Sequence, residues 1–231
     1  MTRLLASVRS IPEARQALAG GADILDLKEP SAGALGAVRL AVSAAVVRLV
    51  AGRIPVSATI GDLPMEPHAV ARAVTARAAT GVTFVKIGFF ETALFQPCLE
   101  AVEGAPRGET RLVAVLFADR SPPVHRLQAI AAAGFSGVML DTCGKGAGGL
   151  RVHASDDTLA DFLAEARRLR LFAGLAGSLG LGDIGPLLAL RPDYLGFRGA
   201  LCAGGARNSA LDPGALAAVR EQIPRLEPAL I

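Results

Sequence analysis

At 231 residues, 52% hydrophobic and 19% charged, the chain has the apolar material for a sizeable core, which argues against disorder. No run of about 18 uncharged apolar residues occurs, so no membrane span is expected. The net charge of +3 comes from dispersed arginines without interleaved aromatics, which disfavours a nucleic-acid surface and suits small anionic metabolites.

Leu4 to Val8 reads as a buried strand, and the flanking Arg3 and Arg9 leave it too short for a signal-peptide core. Ser10, Pro12 and Glu13 open a helix in capping-box spacing, closed by Gly20-Gly21. Ile24 to Lys28 is a second strand, followed by a loop through Gly33 to Gly36 and a helix from about Val38 to Val50. Pro55 to Ile60 is a third strand, and Pro67 starts a helix reaching Thr80. Thr83 to Gly88 and Leu112 to Phe117 are the fourth and fifth strands. Pro122-Pro123 starts a helix that Gly134 ends. Gly137 to Asp141 is the sixth strand, running into the glycine-rich loop Gly144 to Gly149. Ser155 caps a helix to Leu169, Leu171 to Leu175 is the seventh strand, and a short helix covers Ile184 to Leu190. Tyr194 to Gly199 is the eighth strand, and Asp212-Pro213 caps a last helix.

Eight short apolar strands alternating with helices predict a parallel sheet. With no gap for a second domain, the chain reads as one α/β domain over 1–231, a (β/α)8 TIM barrel slightly below the usual size. A doubly wound sheet is the alternative, though no GxGxxG follows the first strand. In a barrel the active groups belong at the C-terminal strand ends. Asp26 and Lys28, Asp62, Lys86, Asp119 with Arg120, Asp141 with Lys145, Ser178 and Arg198 all fall there.

The lysines stand out because the chain has only Lys28, Lys86 and Lys145, against 21 arginines. A lysine can form an imine once desolvated or set beside another cation, whereas an arginine cannot. Asp26 and Lys28, two apart on a strand, share a face, and Asp26 could move protons to and from a carbinolamine. For Lys86 the structural alternative is an ion pair with Asp26 or Asp141; for Asp141 it is anchoring Lys145. The turns containing Gly177-Ser178 and Arg198-Gly199 follow strands seven and eight, where backbone N–H groups of such barrels hold phosphate. Arg198 would add a charged fork, and tight glycine packing at the rim is the competing reading. His68, His125 and His153 read as surface residues. Cys98, Cys143 and Cys202 lack metal-ligand spacing, so no metal or other cofactor is expected, and the thiols suit a cytoplasmic protein. The expected partner is a small phosphorylated substrate rather than nucleic acid or membrane, and the chain is expected to form a homo-oligomer.

These residues also carry a family resemblance. Asp26-Leu27-Lys28-Glu29-Pro30, with Gly33, Leu35, Gly36 and Ala37 behind it, resembles the signature of the (5-formylfuran-3-yl)methyl phosphate synthases, which make the furan precursor of methanofuran-type one-carbon carriers. Val85-Lys86-Ile87-Gly88, Leu140-Asp141-Thr142 with Lys145, Gly174 to Leu179 and Gly196-Phe197-Arg198-Gly199 are similar to the same family, at similar spacing, across nearly the whole chain. The resemblance implies condensation of two glyceraldehyde 3-phosphate molecules with loss of phosphate and water. It implies an imine at Lys28, proton transfer by Asp26, Asp141 and Lys145, and Lys86 lining the site. An enamine derived from that imine would attack the second aldehyde. The family commonly has a lysine at the place of Arg120, where an arginine keeps a phosphate-binding role, and Arg120, Lys145 or the glycine loop is expected to hold the second phosphate. The competing functions are a simpler lysine-imine aldolase, a sugar-phosphate isomerase, or a non-catalytic phosphate-binding protein.

Overall fold

A computed structural model describes residues 1–144 and 148–225 of the chain. Eight parallel strands close on themselves in chain order, β1 beside β8. They are β1 (Arg3–Val8), β2 (Ile24–Leu27), β3 (Val56–Thr59), β4 (Phe84–Gly88), β5 (Arg111–Phe117), β6 (Gly137–Asp141), β7 (Phe172–Leu175) and β8 (Tyr194–Phe197). The helices are α1 (Ile11–Ala19), α2 (Leu40–Val50), α3 (Pro67–Ala78), α4 (Phe95–Glu103), α5 (Leu127–Ala132), α6 (Leu150–His153), α7 (Asp156–Arg168), α8 (Leu181–Ala189) and α9 (Pro213–Gln222). The expected TIM barrel is the observed fold, and the eight expected strands are its staves.

The two-residue alternation of strand side chains divides the core. Leu4, Ala6, Leu25, Leu27, Leu112 and Ala114 point outward against the helices. Leu5, Ile24, Val113, Val115, Met139 and Tyr194 fill the barrel interior. At the N-terminal end, Phe172 stacks on Tyr194 with ring centroids 4.8 Å apart. Gly174 makes room for this stack, since a Cβ there would lie 2.1 Å from the Tyr194 ring.

Helix starts follow their caps. Ser10 accepts from Glu13 N, Ser155 from Thr158 N and Asp212 from Ala215 N. Four elements depart from the sequence reading: α5 begins at Leu127 rather than at Pro122-Pro123, α6 was not expected, and α4 and α8 differ as well. α4 was not expected, although Phe95, Cys98, Leu99 and Val102 bury one face at i, i+3, i+4 and i+7. Pro97 masks that signal, but it lies in the first turn, where its missing N–H has no helical partner to lose. α8 begins at Leu181 rather than Ile184. That places its N-terminus directly behind the Gly177–Gly180 turn.

Candidate active site

The strand ends at the C-terminal face surround a cavity of about 330 Å³. Its walls include Ser7 from β1, Asp26 and Lys28 from β2, Lys86 from β4, Asp141 from β6, the 176–180 turn after β7 and the 196–200 segment around the end of β8. Six sequence-predicted polar residues (Asp26, Lys28, Lys86, Asp141, Ser178 and Arg198) therefore meet in one place, with Gly177 and Gly199 beside them.

Two ion pairs of different tightness occupy the floor. Lys86 Nζ lies 3.1 Å from Asp26 Oδ2, with both side chains at most 2% exposed. Ser7 Oγ and Ser57 Oγ also donate to Asp26, at 3.1 and 2.6 Å. Burial pushes the Asp26 carboxyl up, but the Lys86 and Lys28 ammonium groups and the Ser57 hydroxyl outweigh it and hold the acid below its ordinary range. Asp26 is thus a fixed anion. The proton-moving role expected of it does not fit this setting, because three donors stabilise the charged form. The expected alternative for Lys86, an interior ion pair with Asp26, is what forms, while Lys86 still reaches the cavity wall. Burial lowers the Lys86 pKa and the nearby Lys28 charge adds to that, against the opposing pull of Asp26 and Asp141.

The second pair is looser. Lys28 Nζ stands 3.8 Å from Asp141 Oδ2, with the lysine side chain 9% exposed on the cavity. Asp141 Oδ1 accepts the N–H of Thr142 at 2.7 Å. Lys28 is held just past β2 by its backbone N–H, which donates to Val8 O, and the loop behind it closes as Glu29 N donates to Gly36 O. The turn needs Gly33: it has φ of +113°, and a Cβ there would fall 1.8 Å from Asp62 Oδ2. Asp62 itself accepts the N–H of Leu35.

The turns expected to hold phosphate divide between packing and lining the cavity. Gly174 serves packing, as described. Gly177, Ser178, Gly199 and Ala200 line the cavity, and among the described residues their backbone N–H groups have no acceptor. The N-terminus of α8 lies behind the first of these turns, so the wall offers several N–H donors and a positive helix end.

Two expectations are corrected. Arg198 does not offer a free fork. Its guanidinium donates to both carboxylate oxygens of Glu13, to Ser7 O, to Arg207 O and to Ser209 O, so all of its N–H groups are spent. The reason is Glu13, which is buried; its carboxylate accepts Arg9 N rather than completing a capping box and leaves an anion facing β8. Arg120 is exposed in a one-turn 3-10 segment after β5 and does not line the cavity. Its neighbour Asp119 turns inward instead, accepting Cys143 N and Gly144 N at 2.8 and 2.6 Å and fixing the start of the glycine loop. Burial raises the Asp119 pKa, but these two N–H groups more than offset it and the acid lies below its ordinary range. Lys145 lies outside the described residues.

Two polar cavity residues were missed, Ser7, which donates to Asp26, and Arg207. Arg207, in the loop after β8, lies over the mouth and donates to Gly33 O at 2.7 Å. The signal for it was weak, an arginine in a glycine-rich loop without periodicity. Among the described residues no group of three or more His, Cys, Asp or Glu side chains could hold a metal ion, and no helix is long and apolar enough to cross a membrane.

Comparison with known proteins places this geometry. The family model described as 4-HFC-P synthase matches residues 4–220. The (5-formylfuran-3-yl)methyl phosphate synthase of Methanopyrus kandleri is 35% identical over 217 residues, covering 89% of this chain and 92% of that protein. A protein of Methylorubrum extorquens given the same name provisionally is 45% identical over 213 residues, covering 91% of this chain and 86% of its own. Among solved structures, phosphoribosyl anthranilate isomerase from Thermus thermophilus superposes with a TM-score of 0.67 at 18% identity, covering 96% of this chain and 98% of that one. A 3-hexulose-6-phosphate synthase superposes with a TM-score of 0.62 at 19% identity, covering 96% and 100%. These two likenesses speak to the barrel alone.

Proposed function

The chain belongs to the 4-HFC-P synthase family, and from that premise we propose that it is a lyase-type synthase joining two glyceraldehyde 3-phosphate molecules into (5-formylfuran-3-yl)methyl phosphate through an imine on Lys28. The observation that carries this reading is the contrast between the two interior lysines. Lys86 is sealed against Asp26 at 3.1 Å, whereas Lys28 sits 3.8 Å from Asp141 with its amine on the cavity. A carbonyl entering from the mouth meets Lys28 first.

Attack of the Lys28 amine on the aldehyde carbon gives a carbinolamine, and loss of water gives the iminium. In this scheme Asp141 takes the proton from Nζ and returns one to the departing oxygen, a role its 3.8 Å distance from Nζ supports. The iminium acidifies the adjacent C2–H. When that proton leaves, the electron pair forms the C2–C3 double bond and expels the C3 phosphate.

The product's carbon map alters the expected second step. The formyl carbon must begin as an aldehyde, because phosphate departure leaves its own carbon reduced. The nucleophile is therefore C3 of the dephosphorylated triose. It bonds to the carbon that ends up carrying the phosphorylated methylene, which is C2 of the second triose. That molecule must react as its ketone isomer rather than as the second aldehyde. Imine hydrolysis returns the water lost in forming it, and ring closure with aromatisation releases two more. The sum is two triose phosphates giving product, one phosphate and two waters, with no oxidant or reductant. In this scheme Lys86 is a proton donor of lowered pKa, Asp26 anchors it, and the N–H groups of Gly177, Ser178, Gly199 and Ala200 hold one phosphate. This route feeds a methanofuran-type one-carbon carrier, a use that fits a cytoplasmic enzyme.

The test is borohydride trapping with glyceraldehyde 3-phosphate, mapped by mass spectrometry. The expected result is a reduced adduct on Lys28, with Lys28→Arg losing both the adduct and the near-ultraviolet furan product. A protein that forms no adduct, and whose Lys28→Arg variant still turns over, refutes the proposal. An adduct without a furan points to a simpler aldolase.

A further inference from the structure

The two-substrate reading leaves an electrostatic problem. Each phosphate brings about −1.5 to −2 charges at neutral pH. Among the described residues the cavity floor holds Lys28 and Lys86 against Asp26 and Asp141, which cancel. The turns after β7 and β8 supply N–H donors for one phosphate. Arg198 is spent on Glu13, and Arg120 is exposed off the cavity.

Arg207 is the cation left on the wall among the described residues. Its guanidinium spans the mouth above β1, from the β8 loop to Gly33 O on the β2 loop. That contact uses one of its donors, and no carboxylate of the described residues lies within ion-pair distance of it. Both ends of the span are fixed. Arg198 Nε donates to Arg207 O at 2.8 Å and Arg198 Nη2 to Ser209 O at 2.9 Å, so the spent arginine pins the backbone that carries the other. On the far side, Asp62 accepts Leu35 N and packs against Gly33, setting where Gly33 O stands. A planar fork held this way over a neutral floor matches a phosphate in two-point contact.

We propose that Arg207 is the phosphate-binding residue for the second triose phosphate, set in place by Arg198 through its carbonyl. This assignment rests on the two-substrate reading above. It makes Arg207 a specificity residue: it selects a phosphorylated second substrate without touching the imine chemistry.

The test uses the purified protein, with Arg207→Ala and Arg207→Lys beside wild type. Titration calorimetry with inorganic phosphate reads the anion sites directly, and steady-state assays read KM for triose phosphate. Arg207→Ala is expected to remove one of two phosphate sites and to raise KM by about tenfold or more, the size of one lost charge-assisted contact. Arg207→Lys is expected to recover part of both, keeping charge but not the fork. Trapping of unphosphorylated glyceraldehyde on Lys28 should proceed as in wild type. Unchanged phosphate stoichiometry and KM in Arg207→Ala overturn the proposal, as does an equal loss of glyceraldehyde trapping, which would mean that the residue acts on the whole barrel mouth. If wild type forms no Lys28 adduct, the imine reading falls instead, and the phosphate titration, which needs no turnover, still decides Arg207.

Discussion

Replacing Asp26 with Asn keeps the shape of the side chain and removes its charge. Lys86, 2% exposed, would then sit in the barrel floor without its counter-ion 3.1 Å away. Removing one partner of a buried pair costs about 3–5 kcal/mol, because the other charge is left desolvated and unpaired. At about 2–4 °C per kcal/mol for a chain of this length, the melting temperature should fall by about 6–20 °C. The pH dependence identifies the cause. The folded Asp26 pKa lies below the ordinary 3.8. Its stabilisation is therefore complete above pH 3.8 and is lost as pH falls through the folded value. The deficit of Asp26→Asn against wild type should be a plateau at neutral pH and should close in acid below 3.8. On the alkaline side, Lys86 has a folded pKa below its ordinary 10.5, and losing Asp26 lowers it further. The unfolded chain then binds more protons than the folded one up to 10.5, so the variant should regain stability as pH rises toward that value. Urea unfolding of Asp26→Asn, Lys86→Met and the double variant closes the cycle. The double variant should be more stable than Asp26→Asn, since it buries no unpaired charge. Additive losses across the cycle would refute the reasoning.

Two further outcomes are expected. Gly33→Ala should cost about 1–3 kcal/mol from its positive φ alone, with more from the displaced Asp62, and should also raise KM because Gly33 O is where Arg207 rests; a thermal melt and a rate curve check both. Glu13→Gln should destabilise the fold by about 3–5 kcal/mol in urea, since Arg198 loses its only carboxylate among the described residues in a pair whose side chains are 5% and 7% exposed.

What was legible in the sequence was what depends on short spacing. Asp26 and Lys28 share a face because strand residues two apart must, and Asp141 could be placed because strands in a closed barrel end at one rim. α4 was legible too, through Phe95, Cys98, Leu99 and Val102, although Pro97 in its first turn interrupts the look of a helix there. Arg198 shows the other limit. Its place at the end of β8 was right and its task was not, because Glu13 lies 185 residues away in sequence and no local pattern couples them. Arg207 shows the same limit in reverse: it gains its place over the cavity through the carbonyls of Gly33 and Arg207 itself, set by Asp62 after β3 and Arg198 after β8.

On the proposed imine chemistry, the two floor pairs account for lysine at positions where the rest of the chain uses arginine. An imine requires an amine that can part from its proton and its partner, and that excludes guanidinium. It also excludes an amine gripped as Lys86 is, with its carboxylate at 3.1 Å already taking two serine hydroxyls. Lys28, at 3.8 Å from an acid on a different strand, is neutralised without being locked. The tight pair thus serves the loose one. By pairing Asp26 with Lys86, the fold leaves Asp141 as the acid within ion-pair distance of the Lys28 amine among the described residues. On the proposed imine reading, exchanging the two spacings would leave the same four residues in the cavity but put the looser amine on the more buried lysine, away from the Gly177 and Gly199 turns.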